Sequence, residues 1–261
     1  MQQPPARPMS EIVSEDPWAQ LKSFTQARIA LGRVGSSLPT REVLDFSLSH
    51  ALARDAVHLA LDTQTLIAQI QAALAVEVLH IHSQAQDRAA YLLRPDWGRQ
   101  LSEASRQRLS LLPKETGIDL LLVVADGLSS LAVQNHALPL LEEIRKQAPA
   151  EWYLGPLVVA SQARVALADE IGEQLGARMV AILIGERPGL SSPDSLGVYL
   201  THQPKRGRSD ADRNCISNIR PGGLEYAAAA KKLLWLAKEA RRLNVSGVAL
   251  KDESEVVIIN K

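Results

Sequence analysis

Cysteine is all but absent from these 261 residues: Cys215 stands alone, which excludes an internal disulfide and a multi-cysteine metal centre and fits a reducing interior. Aromatic residues are scarce too, at 4% of the chain against 46% hydrophobic residues overall. A core must therefore come from Leu, Val, Ile and Ala, which suits helices packed on parallel strands better than a sandwich. Net charge is missing as well. Lysine and arginine total 29, as do aspartate and glutamate, so no global field exists to hold a polyanion or an anionic membrane. Neither nucleic acid nor a membrane is expected as a partner. No run reaches the roughly 18 uninterrupted apolar residues of a membrane span, and the opening "MQQPPARPMSEIVSEDPW" lacks the apolar core of a secretory signal. The expectation is a soluble, cytoplasmic chain, with the proline-bearing, mixed-charge residues 1–15 as a disordered tail.

Chemical signatures are missing in the same way. No G-x-G-x-x-G and no G-x-x-x-x-G-K-[ST] occurs, which disfavours a nicotinamide or ATP enzyme. Cys215 as a nucleophile would need a general base, and neither His136 nor His202 stands at a spacing that matches a catalytic signature. His80 and His82 point to one face of a strand but lack a third ligand at metal-site spacing, so no metal site is expected.

Alternating apolar patterns are present throughout. Asp16, Pro17 and Gly32 punctuate a helix over 17–31. Thr40 opens a second through Leu61, with Val43, Leu44, Leu48, Ala51, Leu52, Val57 and Leu59 largely on one side. Residues 66–74 continue this N-terminal helical region. "VEVLHIHS" alternates as a half-exposed strand does, and "AAYLLRP" is expected to pair with it as a hairpin, ahead of a helix over 96–112 that Pro113 ends. From there "IDLLLVVADGLSS", "GPLVVASQARVAL" and "ARMVAILIGERPG" are continuous apolar runs, with helical spacing over 129–148 and 166–175 between them. "LGVYLTH" adds a fourth strand, "ADRNCISNIRPGG" reads as a polar loop, and an amphipathic helix covers 224–243. The fold class expected is α/β: a Rossmann-like parallel sheet flanked by helices, with an N-terminal helical region. The domain reading is 1–15 tail, 16–100 N-terminal helical region with its hairpin, and 101–261 Rossmann-like domain.

In such a sheet the site lies beyond the carboxyl ends of the strands. Those tips are Asp126-Gly127, residues 161–165, Gly185–Gly189 and the later loop over 213–223. Asp126 is expected to close an Asx-turn with Gly127, and Gly127, Gly185 and Gly189 to serve loop geometry or close approach. Taken alone, Glu186-Arg187 reads as a surface ion pair or a loop braced by local hydrogen bonds, Cys215 as a small buried apolar residue, and Val165 as core packing. Arg28 and Arg33 suit a helix C-terminus.

The segments "FTQARIALGRVGSSLPT", "ARDAV", "LLRPDWGR", "VADGLSS", "IGEQLGARMVAILIGERPGL", "SLGVY" and "ADRNCISNIRPGG", in this order, closely resemble the small subunit of ethanolamine ammonia-lyase. The resemblance covers about residues 17 to 243. It implies an adenosylcobalamin enzyme that converts ethanolamine to acetaldehyde and ammonia by radical chemistry, as a hetero-oligomer with a large catalytic subunit whose TIM barrel holds the substrate. This chain would carry no catalytic residue and would complete the cobalamin site. The cofactor contacts the resemblance carries over are Val165, Glu186 and Cys215, followed by Arg187 and Ser217. No D-x-H-x-x-G motif is present to place a histidine under cobalt, so the cofactor is expected base-on. The resemblance also allows Arg28 and Arg33 to dock the partner subunit, and a bacterial microcompartment as the cytoplasmic location common in the family. Competing readings are an independent Rossmann-type small-molecule enzyme and an assembly scaffold that binds no cofactor.

Overall fold

The computed structural model describes residues 12–112 and 117–254. Of the tail expected over 1–15, the part up to residue 11 lies outside the described residues, as does Pro113. The chain divides into two compact units: one, ending at Asp55, also takes in Gly189–Ser192, and the other covers Ala56–Pro188 and continues from Pro193.

In the first unit Ser14 and Arg33 exchange backbone hydrogen bonds of 2.8 and 3.0 Å. Only a 3₁₀ turn, Ala19–Phe24, forms where a helix over 17–31 was expected. No residue of that turn is buried, and a short helix without a packed face does not hold in water. Helix α1 (Thr40–His58) supplies most of the regular structure. Arg28 does not cap a helix here: its Nη2 donates to Ser49 Oγ at 2.6 Å and its guanidinium lies 5.4 Å from the Phe46 ring centroid. The apolar residues of α1 pack on little, and Val43, Leu44, Phe46, Leu48 and Leu52 are exposed.

The second unit is built on a six-stranded sheet. Asp62 caps α2 (Thr63–Leu74), accepting from Thr65 N at 3.1 Å. Then follow β1 (Val78–His82), α3 (Arg88–Leu93), α4 (Glu103–Leu111), β2 (Leu121–Ala125), α5 (Ser130–Gln147), β3 (Leu157–Ser161), α6 (Leu167–Gln174), β4 (Met179–Gly185), β5 (Leu196–His202), β6 (Arg213–Ile219) and α7 (Tyr226–Leu243). The spatial order is β1-β3-β2-β4-β5-β6. Alternate residues of the strands face two cores. Leu122, Val124 and Leu183 pack with α2, α5 and α7, while Leu121, Val123 and Ile182 pack with α4 and α6. Because both faces are covered, β2, β3 and β4 are buried along their whole length, which is why they read as unbroken apolar runs.

The sheet is mixed, not the purely parallel one expected. Strands β1 to β4 are parallel, but β5 runs antiparallel to β4, and β6 antiparallel to β5. Connection length explains the change: a parallel crossover needs about a dozen residues or more and usually a helix, whereas only the helix-free segment from Glu186 to Ser195 joins β4 to β5. Two other expectations are corrected. "AAYLLRP" is not the second strand of a hairpin but carries α3, started by Asp87, whose Oδ1 accepts from Ala90 N at 2.8 Å. β1 instead pairs in parallel with β3. The polar loop "ADRNCISNIRPGG" contains β6, which buries Arg213, Ile216 and Ile219 and leaves Cys215, Ser217 and Asn218 outward, the pattern of an edge strand.

Arg213 opens β6 in the interior. Its guanidinium pairs with Asp169 from the first turn of α6 and reaches Asp210 at 2.7 Å, with the Arg213 and Asp169 side chains each 2% exposed. Burial pushes the Asp169 carboxyl above its ordinary value, and Arg213 pulls it back. Such a pair is costly to desolvate, yet removing one partner leaves the other charged and buried. Arg213→Met should therefore destabilise the fold by about 3 kcal/mol, seen as a lower thermal midpoint, and Arg213→Met with Asp169→Leu should recover most of the loss. An unchanged midpoint in the single variant would show that the pair carries no such weight.

Candidate functional site

The chain leaves β2 through α5 for β3 on one side, then returns through α6 on the opposite face to β4 on the other side. Connections diverging in this way open a crevice beyond the strand ends. Asp126 follows β2 directly. Its carboxylate accepts from Gly127 N at 3.0 Å, Gln162 N at 2.8 Å and Ala163 N at 2.9 Å; the Asx-turn expected here does not close, because the N–H two residues on, that of Leu128, donates to Gly185 O instead. It thereby ties the tip of β2 to the tip of β3. Burial raises its pKa, while those N–H donors and the Arg88 guanidinium, 3.7 Å away, hold the charged form. Arg88 donates as well to Gly127 O at 2.7 Å and Leu128 O at 3.0 Å.

The tip of β4 meets that of β2 backbone to backbone. Leu128 N donates to Gly185 O at 2.9 Å. A Cβ on Gly127, whose φ is +58°, would lie 2.2 Å from that same oxygen, and one on Gly185 would lie 2.0 Å from Ser129 O. Glycine at both positions makes this approach possible.

Around these tips lies a cavity of about 470 Å³. Leu128, Ile184, Gly185, Glu186 and Arg187 come from the β2 and β4 tips; Arg164 and Val165 follow β3; Tyr91 comes from α3, Tyr199 from β5 and Ser217 from β6. The Glu186 carboxylate accepts from the Ser195 hydroxyl, from Ser217 Oγ at 2.5 Å and from Asn218 N at 3.1 Å. It joins the start of the β4–β5 connection to the edge strand. Tyr91 donates to Ala163 O at 3.2 Å, and the Arg88 and Arg164 guanidiniums stand 4.8 and 4.3 Å from its ring centroid. The buried Nε of Arg164 has no hydrogen-bond partner.

A family model described as ethanolamine ammonia-lyase light chain (EutC) matches residues 15–251. The chain belongs to the ethanolamine ammonia-lyase small-subunit family. It is 57% identical over 251 residues to the ethanolamine ammonia-lyase small subunit of Pseudomonas aeruginosa (strain UCBPP-PA14), covering 95% of this chain and 92% of that one. To that of Ralstonia nicotianae it is 55% identical over 250 residues, 95% and 92% covered. To that of Pseudomonas syringae pv. tomato it is 54% identical over 257 residues, 96% and 89% covered.

Of the positions that the resemblance to ethanolamine ammonia-lyase singled out, Val165, Glu186, Arg187 and Ser217 line the one cavity. Cys215 does not line it. It sits on the exposed sheet edge opposite Tyr199, which does. Val165 also packs against the core on the α4 and α6 side of the sheet, as expected of it taken alone. The bracing expected of an isolated Glu186 is present, by hydroxyls and a backbone N–H rather than by Arg187. Tyr91, Arg164 and Tyr199 went unread. Arg164 adjoins Val165 in "ARVAL", and its position at a strand tip was the available signal; Tyr91 was hidden by the strand reading of its segment.

Desolvation raises the Cys215 thiol above its ordinary value, with the Glu186 charge adding and the Tyr199 hydrogen bond opposing. A raised thiol pKa means less thiolate at any given pH. Cys215 should therefore react with iodoacetamide at pH 8 more slowly than free cysteine, gaining rate as pH climbs past the ordinary thiol range. Alkylation as fast as free cysteine would contradict that environment. For Asp126, an Asn offers one acceptor oxygen where two are used, leaving Gln162 N–H unmet. Asp126→Asn should lower stability by about 1–3 kcal/mol, measured as a fall in the urea midpoint, and an unchanged midpoint would remove Asp126 as the link between the strand tips.

Proposed function

We propose that this chain is the noncatalytic small subunit of an adenosylcobalamin-dependent ethanolamine ammonia-lyase, and that its strand-tip cavity completes the cobalamin site of a large catalytic subunit that holds ethanolamine. The observation that carries the reading is the convergence of Val165, Glu186, Arg187 and Ser217, from three separate segments, on one cavity of a chain in this family. Bound adenosylcobalamin supplies the radical chemistry; this chain's residues bind and orient. The cavity is too small to enclose a corrin and suits one edge of it, where peripheral amides each offer both donors and acceptors. Arg164 lines the cavity, Arg187 lies exposed at the rim, and Glu186 Oε1, which accepts one hydrogen bond within the chain, has capacity for a second. Cys215 would contribute through its exposed edge backbone, without thiolate chemistry. The reading takes the cofactor as base-on, since the sequence carries no D-x-H-x-x-G motif.

The exposed apolar residues of α1 suit docking to the large subunit, since contiguous apolar surface of this kind marks contact sites. Among the described residues no helix is long and apolar enough to cross a membrane, and cytoplasmic residence accompanies the reading. Mixing this chain with the large subunit, ethanolamine and adenosylcobalamin should give acetaldehyde where neither chain alone does. In the assembled complex Glu186→Ala should weaken cobalamin binding about tenfold or more, the weight of a charged hydrogen bond, while leaving assembly intact. Wild-type cobalamin affinity in that variant would leave the chain as a scaffold.

A further inference from the structure

Helix α5 turns Ala132, Val133, His136, Ala137, Leu140, Leu141 and Ile144 inward. One member of that apolar stripe is an imidazole, 4% exposed. Its Nε2 lies 3.1 Å from Asp194 Oδ2 and its Nδ1 2.9 Å from the Tyr226 hydroxyl. With the proton on Nε2, that N–H donates to Asp194 and the tyrosine O–H donates to Nδ1, so every polar atom of the junction is matched. Three elements meet there: α5, the first residue of α7, and the segment returning to β5.

That returning segment is the one that aims Glu186. Ser195, next after Asp194, accepts from Glu186 N at 2.9 Å through its carbonyl and donates to the Glu186 carboxylate through its hydroxyl. One residue before Asp194, Pro193 O accepts from Ser129 Oγ at 2.7 Å, and Ser129 is the N-cap of α5. Helix α5 therefore grips two successive residues, and the third carries the hydroxyl and carbonyl that fix Glu186. A leucine at position 136 would serve packing equally well; an imidazole additionally fixes where the segment lies.

We infer that His136, oriented by Tyr226 and acting through Asp194, is a positioning residue for the cobalamin-binding cavity: it holds Ser195 where it sets the Glu186 carboxylate toward the corrin edge. The inference rests on the proposed role of the cavity. Neither hydrogen-bond partner of His136 is among the residues of the cavity wall; its effect is transmitted along Asp194 and Ser195.

The test is a spectroscopic titration of adenosylcobalamin into the assembled two-subunit complex, with assembly followed separately by gel filtration. His136→Leu, which keeps the packing and removes both hydrogen bonds, should weaken affinity about tenfold with assembly unchanged. His136→Gln, whose amide N–H can take the place of Nε2, should restore affinity to within about threefold, whereas His136→Asn, which reaches only the Nδ1 position, should not. Asp194→Ala repeats the loss from a side chain that is 30% exposed, so the question stands even if His136→Leu fails to fold. Equal affinities for the Leu, Gln and Asn variants, or wild-type affinity in Asp194→Ala, would overturn the inference while Glu186→Ala still weakens binding. Should Glu186→Ala bind normally as well, the failure belongs to the proposed role of the cavity.

Discussion

The carboxylate of Asp126 is the fixed point of this fold. A charged group placed beyond the end of a buried strand is costly unless donors surround it, and here three backbone N–H groups and the Arg88 guanidinium supply that surrounding. The donors belong to different elements, so satisfying one side chain brings together the tips of β2 and β3 and the start of α3. Arg164, Val165 and Tyr91 then follow without further choice. Arg164 and Val165 lie immediately past the residues that Asp126 holds, and Tyr91 lies one turn beyond Arg88, donating back to Ala163 O.

The second constraint is topological. Once β4 ends at Gly185, the chain has too few residues to cross over a face of the sheet, and must return antiparallel. That return lays β5 alongside β4 and then β6 alongside β5, with Leu196 opposite both Gly185 and Ile219. Ser217 thus comes within reach of Glu186, 31 residues away in sequence. The departure from a parallel sheet is what builds the cavity's far wall. A continued crossover would have put a helix in the sequence interval that instead carries Asp194 and Ser195.

The reading from sequence succeeded where one physical demand dominated and failed where two competed. Strands β2, β3 and β4 are covered on both faces, so apolar runs such as "LLVVA" could mean little else, and the glycine-bearing tips at 127 and 185 marked the crevice. Strand β6 was missed because an edge strand buries only one side: Arg213, Ile216 and Ile219 are inward and polar residues lie between them. The antiparallel turn of β5 was available in the short interval after Gly185 but was overridden by the preceding βαβαβ rhythm. At the site, Val165, Glu186, Arg187 and Ser217 were reached through family resemblance, whereas Tyr91 was not, because its partner Ala163 lies 72 residues away. His136 was weighed only as a neighbour for Cys215. Its hydrogen-bond partners proved to be Tyr226 and Asp194, which no local spacing connects.

The chemistry of the cavity wall fits recognition better than reaction. Burial raises the Tyr91 and Tyr199 hydroxyls, and the Cys215 thiol at the edge is raised as well, so these groups stay protonated through the neutral range. The guanidiniums of Arg164 and Arg187 bring hydrogen-bond donors and no acceptor. Glu186 accepts from three donors of its own chain, an arrangement that fixes a carboxylate's direction. The result is a surface of fixed hydrogen-bond sense. Such a surface can orient a large polar-fringed ligand while the bond-breaking groups act from elsewhere, which is the division of labour proposed here between this chain and a large catalytic subunit.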